Sequence, residues 1–467
     1  MDPIRRRSFF QSMAALGLAP ASQPAPAIPG RSLPRPVEST GELRRGPYLQ
    51  AVGPDRVVVR WRTDGGARDG RLRYGDALDA LDHVVPAQLV ETGFAGTEDW
   101  SAVVEGLQPG RSYYYAIEAA TAVLAGADEF HSFRTAPVPG QPSPSRFWVL
   151  GDCGTNRVGT GNPGKSISAR NGFRRFDRGR PPIDGIFLLG DNAYGHGTDA
   201  EYQTAVFSVY RDELRRIPVW PCIGNHELTD DYFGIFTVPE HGEAGGVPSG
   251  CSNYYSFDHA NIHFTVLDLW KAEWKEASSP QRRWLERDLA EAKGDWRIVA
   301  EHFPPYCDGK YESDTNGFLV EVREQLLPVL EAHGVDLLLN GHDHTYQRSY
   351  LLDGHHGPRS TFDPARHRKH KSDGRTSPIV KGRGPHSGLV VVVTGTAGAE
   401  QPADPSNPHD NRLGHPVMVE LPEGDQDRRG VRRLGTFLLE IDGLTLVGTQ
   451  VDHHGGVVDR FTILKQS

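Results

Sequence analysis

Between residues 41 and 137 the apolar positions fall in short runs without a helical period. Val57-Val58-Val59-Arg60-Trp61-Arg62 follows the turn Gly53-Pro54-Asp55, and Leu72-Arg73-Tyr74 alternates. Tyr113-Tyr114-Tyr115-Ala116-Ile117 follows the turn Leu107-Gln108-Pro109-Gly110, and Phe133-Arg134-Thr135 closes the segment. Short β-rich runs between turn residues predict a small all-β sandwich over 41–137, with packing and spacing as its expected role. After a Pro-rich stretch at 137–144 the pattern changes. Buried-strand runs are expected at 147–150, 186–189, 219–223, 262–267, 298–300 and 335–339. Helices fall between some of them. Residues 280–293 bring Leu285, Leu289 and Ala292 to one face, and 319–333 carries Val322, Leu326, Val329 and Leu330 before Gly334, with Pro328 inside it. Strand–helix alternation predicts a layered α/β domain over 144–467, its site at the C-terminal ends of the strands. Runs at 390–394, 436–441, 446–451 and 458–464 are expected to extend its sheets. Residues 353–388, with Arg366-His367-Arg368-Lys369-His370-Lys371, read as a basic insertion. A solvated loop is the expectation there, ahead of a loop that attracts anionic substrate.

Composition narrows the class. The 467 residues include 53 glycines and 35 prolines, which suits strands and turns more than a helical bundle. The formal net charge of −9 speaks against nucleic-acid or anionic-membrane partners. No apolar run approaches the roughly 20 residues of a membrane span, so a membrane protein is not expected. The 20 histidines are a surplus that points to metal or acid–base chemistry. At the start, Arg5-Arg6-Arg7-Ser8-Phe9-Phe10, an apolar stretch and two Ala-Pro-Ala triplets form an export signal, with a linker to residue 40. Arg6-Arg7-Ser8-Phe9-Phe10 resembles the twin-arginine core, so export by that route to the periplasm or beyond is expected. The pairing of Cys153, Cys222, Cys251 and Cys307 stays open.

The expected strands share a feature: each leads into a loop rich in ligand-type residues. They are Gly151-Asp152-Cys153-Gly154, Gly190-Asp191-Asn192-Ala193-Tyr194, Gly224-Asn225-His226-Glu227, His302 after Glu301, and Gly341-His342-Asp343-His344. Singly these are ordinary turns; it is their conjunction that points to chemistry. Carboxylate, imidazole and amide oxygen suit hard and borderline cations. A carboxylate can bridge two ions that clamp the attacking and leaving oxygens of an in-line displacement. The reading is a two-metal site acting on a phosphate ester.

The ordered set G-D-x-G, G-D-x-x-Y, G-N-H-E, V-x-x-H and G-H-x-H resembles the purple acid phosphatases of the calcineurin-like metallophosphoesterase superfamily, over about 44–467. The N-terminal sandwich is similar to the fibronectin type III-like module of that family's large form. The resemblance implies a four-layer α/β/β/α metallophosphoesterase sandwich behind the all-β module. It implies a binuclear centre of Fe(III) plus a divalent iron, zinc or manganese ion. Asp152, Tyr194 and His344 would hold the ferric ion, Asp191 would bridge, and Asn225, His302 and His342 would complete the divalent site. His226 would assist the leaving group and Glu227 would act as a support. Gly154 stands where many metallophosphoesterases have a ligand His, and Tyr194 is present, which suits a trivalent ion and predicts a visible charge-transfer band. The ion charges would outweigh those of the ligands, leaving a positive centre for small phosphate esters and an acidic or near-neutral optimum.

The function expected is hydrolysis of phosphate monoesters by a hydroxide held at the metals. A phosphodiesterase on the same site, an iron–calcium phosphatase, and a non-catalytic surface-binding protein are the rivals. The loop after His302, from Phe303 to Lys310, lacks the extra histidines of plant-type members. Tyr306, Arg348 and Arg157 are candidate substrate contacts, although a structural role is favoured for each.

Overall fold

The structure, a computed structural model, describes residues 41–120, 122–154, 164–400, 414–422 and 429–466. The expected export signal and Arg157 lie outside the described residues. No helix among the described residues is long and apolar enough to cross a membrane.

Nine strands come first: β1 Leu43–Gln50, β2 Val57–Asp64, β3 Arg71–Gly75, β4 His83–Pro86, β5 Gln88–Val90, β6 Thr97–Val104, β7 Ser112–Ala119, β8 Ala122–Gly126 and β9 Ser132–Arg134. They form one sheet of order β1-β2-β6-β5 and a second of order β4-β3-β7-β8 with β9 on β7. Alternate residues point inward, so Val57, Val59, Trp61, Leu72, Tyr115 and Ile117 fill the space between the sheets.

The rest of the chain builds two larger sheets. One has the order β12-β11-β10-β20-β21-β22-β18, the other β13-β14-β15-β16-β19-β17. In the first, β10 Ser145–Leu150, β11 Gly185–Leu189 and β12 Val219–Cys222 run parallel. In the second, β13 Tyr255–His259 is followed by the parallel strands β14 Ile262–Val266, β15 Trp296–Ala300, β16 Leu337–Asn340 and β19 Val390–Thr394; β17 Tyr346–Arg348 is at the edge. The parallel strands are buried on both faces, which is why they read as unbroken apolar runs. The inner faces meet through Phe147, Phe187, Phe264, Ile298, Leu339 and Phe437. The Gly164–Asp177 helix covers one outer face, and the Pro280–Glu291 helix covers the other. This is the four-layer α/β/β/α order.

The late runs extend the sheets as expected: β20 Gly435–Asp442, β21 Thr445–Asp452 and β22 Val457–Lys465 continue from β10 by antiparallel pairing. The helix expected over 319–333 is continuous but uneven, with a wide π turn at Val322–Leu326 between Gly317–Glu321 and Leu327–Ala332. Pro328 has no N–H to close a normal turn there, and the extra residue per turn accommodates it. The 353–388 segment is largely solvent-facing, as expected, but anchored at a few points. Within it β18 Ile379–Lys381 pairs with β22, buried Lys381 meets Asp336 at 3.1 Å, and His355 and His367 are buried. The basic composition conceals these anchors. All four cysteines are free thiols.

The sandwich docks onto the catalytic layers through polar contacts. Arg45 and Arg62 both bind Asp199, and the Tyr48 hydroxyl and Arg60 guanidinium donate to the Ile235 carbonyl. The Tyr115 hydroxyl donates to the Arg215 carbonyl.

Candidate metal centre

Five loops at the C-terminal ends of β10, β11, β12, β15 and β16 converge where the two sheets meet. Three come from one sheet and two from the other. Asp152, Asp191 and His342 lie in the left-handed backbone region, with φ of 55°, 51° and 68°. That turn reverses the chain sharply as it leaves each strand, and aims the side chains back across the seam. The neighbouring glycines allow the close approach. A Cβ on Gly224 would stand 2.4 Å from the Asp191 nitrogen and 2.5 Å from its Oδ1.

Two donor groups flank Asp191. On one side the Tyr194 hydroxyl donates to Asp152 Oδ1 at 2.9 Å and lies 3.1 Å from His344 Nε2, which is 3.3 Å from Asp152 Oδ1. On the other, His302 Nε2 lies 3.3 Å from Asp191 Oδ1 and 3.3 Å from Asn225 Oδ1, and the rings of His302 and His342 are 5.1 Å apart. Asp152, Asp191 and His302 can turn one ligand atom each to within 4.8 Å of one another. The structure therefore brings together all seven expected metal ligands.

The backbone sets the imidazoles. His302 Nδ1 faces the Leu189 carbonyl at 2.7 Å, so that nitrogen carries the proton and Nε2 faces the site. His226 Nδ1 faces the Gly195 carbonyl at 3.0 Å, and its Nε2 is 3.9 Å from Asp191 Oδ2. The Tyr194 ring packs 4.3 Å from it. Glu227 is fully buried and is a support. Its Oε2 accepts from the Asp191 and Gly224 nitrogens, and its Oε1 from the Asn192 nitrogen and the Tyr202 hydroxyl.

The donor set fits cations. Asp152 and Asp191 are buried together with no Arg or Lys among the described residues paired to either, which is costly unless positive charge sits between them. In the bare protein a proton takes that place. Burial disfavours the charged form of His302, but Asp191 outweighs it and pushes the imidazole up to about 10. Burial and the charge of His302 hold His342 well below the usual range, leaving it neutral as a ligand must be. Burial, then Asp152 and Asp191, push the Tyr194 phenol well above its usual value. Only a strongly charged cation would take the phenolate.

Two candidate substrate contacts prove structural. Tyr306 is buried and its hydroxyl donates to the His355 carbonyl. Arg348 is buried against Asp459 at 2.8 Å. Two aromatics do reach the site: Phe303, 4.8 Å from both His302 and His342, and Tyr311, which stacks on His342 at 4.2 Å and 6°. Tyr311 lies one residue beyond the Phe303–Lys310 loop, and nothing in its local sequence marks it. Asp343, between the two ligand histidines, accepts from the Gly309 and Lys310 nitrogens and so ties this loop to the site.

Residues 145–346 match the family model of the calcineurin-like phosphoesterases, and residues 45–135 match that of the purple acid phosphatase N-terminal domain. Purple acid phosphatase 15 of Arabidopsis thaliana is 27% identical over 353 residues, covering 66% of this chain and 60% of that protein. A nucleotide pyrophosphatase/phosphodiesterase of Hordeum vulgare is 27% identical over 244 residues, covering 48% of this chain and 64% of that one. The chain thus spans less than two thirds of the length of these relatives. Among solved structures, a purple acid phosphatase from yellow lupin seeds superposes with a TM-score of 0.66 at 18% identity, covering 92% of this chain and 75% of that one. That likeness is one of fold.

Proposed function

The chain joins a calcineurin-like phosphoesterase domain to a purple acid phosphatase N-terminal domain, and from that premise we propose that it is an exported binuclear metallophosphatase hydrolysing phosphate monoesters. The observation that carries the reading is Asp191, a buried carboxylate between two donor groups of different character. Asp152, Tyr194 and His344 suit a trivalent iron; Asn225, His302 and His342 suit a divalent iron, zinc or manganese ion. Bound there, the pair would supply positive charge to a phosphate dianion and acidify a water molecule.

The chain's own groups do the rest. The Gly195 carbonyl fixes the His226 ring with Nδ1–H inward, so that Nε2 is free to hold a proton for the departing ester oxygen. Its side chain is 27% exposed, which leaves room for substrate. Glu227 holds the Asp191 and Asn225 loops together through three backbone nitrogens, so the ligands need not reorganise when charge develops.

Metal analysis with a visible spectrum tests the centre: about two metal ions per chain are expected, with a visible band that Tyr194→Phe abolishes. Iron-loaded protein without such a band would refute the ferric assignment. Absence of turnover on aryl phosphates would refute the phosphatase reading. A diesterase is the second reading, favoured by the likeness to the nucleotide pyrophosphatase/phosphodiesterase of Hordeum vulgare. Matched aryl monoester and diester substrates separate the two.

A further inference from the structure

A cavity of about 480 Å³ lies between the sandwich and the catalytic layers. Ser112, Ser132, Phe133 and Arg134 of β7 and β9 line it on one side; Trp148, Phe173 and the loops before β11 and β12 line it on the other. Asp184 and Ile217 precede those strands, so the cavity opens at their N-terminal ends. The candidate metal loops leave from the opposite ends. This is a second site, not an arm of the first.

The lining is built for a ligand with two halves. Part of the lining is aromatic: Trp148 stacks on Phe173 at 4.3 Å and 10°, and Phe133 lines the sandwich side. The Trp148 indole N–H is buried without a hydrogen-bond partner, as is Glu213 Oε2. Trp148 is 1% exposed, so its N–H is a donor withdrawn from water and unsatisfied.

The other half is charged. Each carboxylate of the lining already faces an arginine: Glu213 meets Arg174 at 2.6 Å, Asp177 meets Arg146 at 2.5 Å, and Asp184 lies 3.8 Å from Arg134. Arg180 stacks on Phe176 and reaches Glu440 at 3.9 Å. Arg178 and Arg216, both exposed, make no ion pair or side-chain hydrogen bond with the described residues, so the surplus charge is theirs. It exceeds the partial negative charge at the C-terminal end of the Gly164–Asp177 helix.

We propose that this cleft binds a small organic oxyanion, its phosphate- or carboxylate-type head held by Arg178 and Arg216 and its apolar body laid against Phe133, Trp148 and Phe173. A volume of this size is ordinary for a small-molecule site. A ligand spanning both domains would fix their relative placement from the side remote from the metals.

The test is calorimetry on the metal-loaded protein with phenylphosphonate, whose phosphorus–carbon bond a phosphoesterase does not cleave. The expected result is a binding event that Arg178→Ala/Arg216→Ala weakens by about tenfold or more, while turnover of an aryl phosphate at low concentration is unchanged. Methylphosphonate, which lacks the apolar body, should bind the cleft at least about tenfold more weakly. Trp148→Phe should remove the fluorescence change that accompanies cleft binding. Binding identical in wild type and the double variant overturns the proposal, as does equal binding of the two phosphonates at the cleft. Neither result depends on whether the metal centre turns over.

Discussion

Asp152, Asp191 and His342 each hold a left-handed backbone conformation, which costs a residue with a side chain about 1–2 kcal/mol. Such strain persists where surrounding bonds over-determine it. Here the bonds are visible: Glu227 accepts from the Asp191 nitrogen, and Asp152 Oδ2 accepts from the His342 nitrogen at 2.7 Å. Glu227→Ala should therefore lower metal affinity or turnover by about 10–100-fold without removing a ligand, read by metal titration beside the activity assay. His226→Ala should slow esters with poor leaving groups far more than those with good ones; equal losses would remove it from the acid role. That these residues cluster was legible in the sequence, because glycine turns after apolar runs expose them. Tyr311 was not, because its place on His342 follows from the path of a loop that carries no periodic pattern.

The short Asp199–Tyr202 helix links distant elements. Its first residue receives Arg45 and Arg62 from the sandwich, and the hydroxyl of its last donates to Glu227 Oε1. The sandwich thus reaches the Asp191 and Asn225 loops through two intermediaries. Asp199→Ala leaves buried Arg45 without its carboxylate, with only Gln203 as a hydrogen-bond partner among the described residues, while Arg62 keeps Asp99; it should destabilise the fold by about 3 kcal/mol, measurable by denaturant unfolding. It should also loosen the metal site, seen as faster metal loss to a chelator. At this scale strands read well and helices less well. Buried parallel strands announce themselves as apolar runs, whereas the π turn before Pro328 is a local adjustment that periodicity averages away. The 353–388 segment faces solvent as its charges suggest, but those charges conceal one buried lysine–aspartate pair and one short edge strand.

For the whole molecule, charge state sets a pH dependence. Burial favours neutral His263, but hydrogen bonds to Asp258 and Asp288, at 2.8 and 2.9 Å, outweigh it and push the imidazole up to about 9. A proton held more tightly in the folded state stabilises it fully below about pH 6.5. That contribution is lost as pH rises through about 9, and is worth on the order of 3 kcal/mol. Scanning calorimetry should show the unfolding midpoint falling over that interval, with a shallower fall in His263→Gln. The net charge of −9 gave no hint of this pair, nor of the arginine-rich cleft between the domains, since a total erases position.

The seam between the two sheets also sets an order of assembly. Asp152 and His342, joined by a hydrogen bond, are 190 positions apart, and Tyr194 and His344 are 150 apart. Contacts of such long range form late, after the loop-closure entropy has been met by docking both sheets. No partial chain emerging from the ribosome can hold the centre until residue 344 is in place, so metal capture belongs to the finished fold. A protein that takes its ions last must meet them wherever folding ends, and for an exported chain that makes the compartment of folding the compartment that chooses the metal.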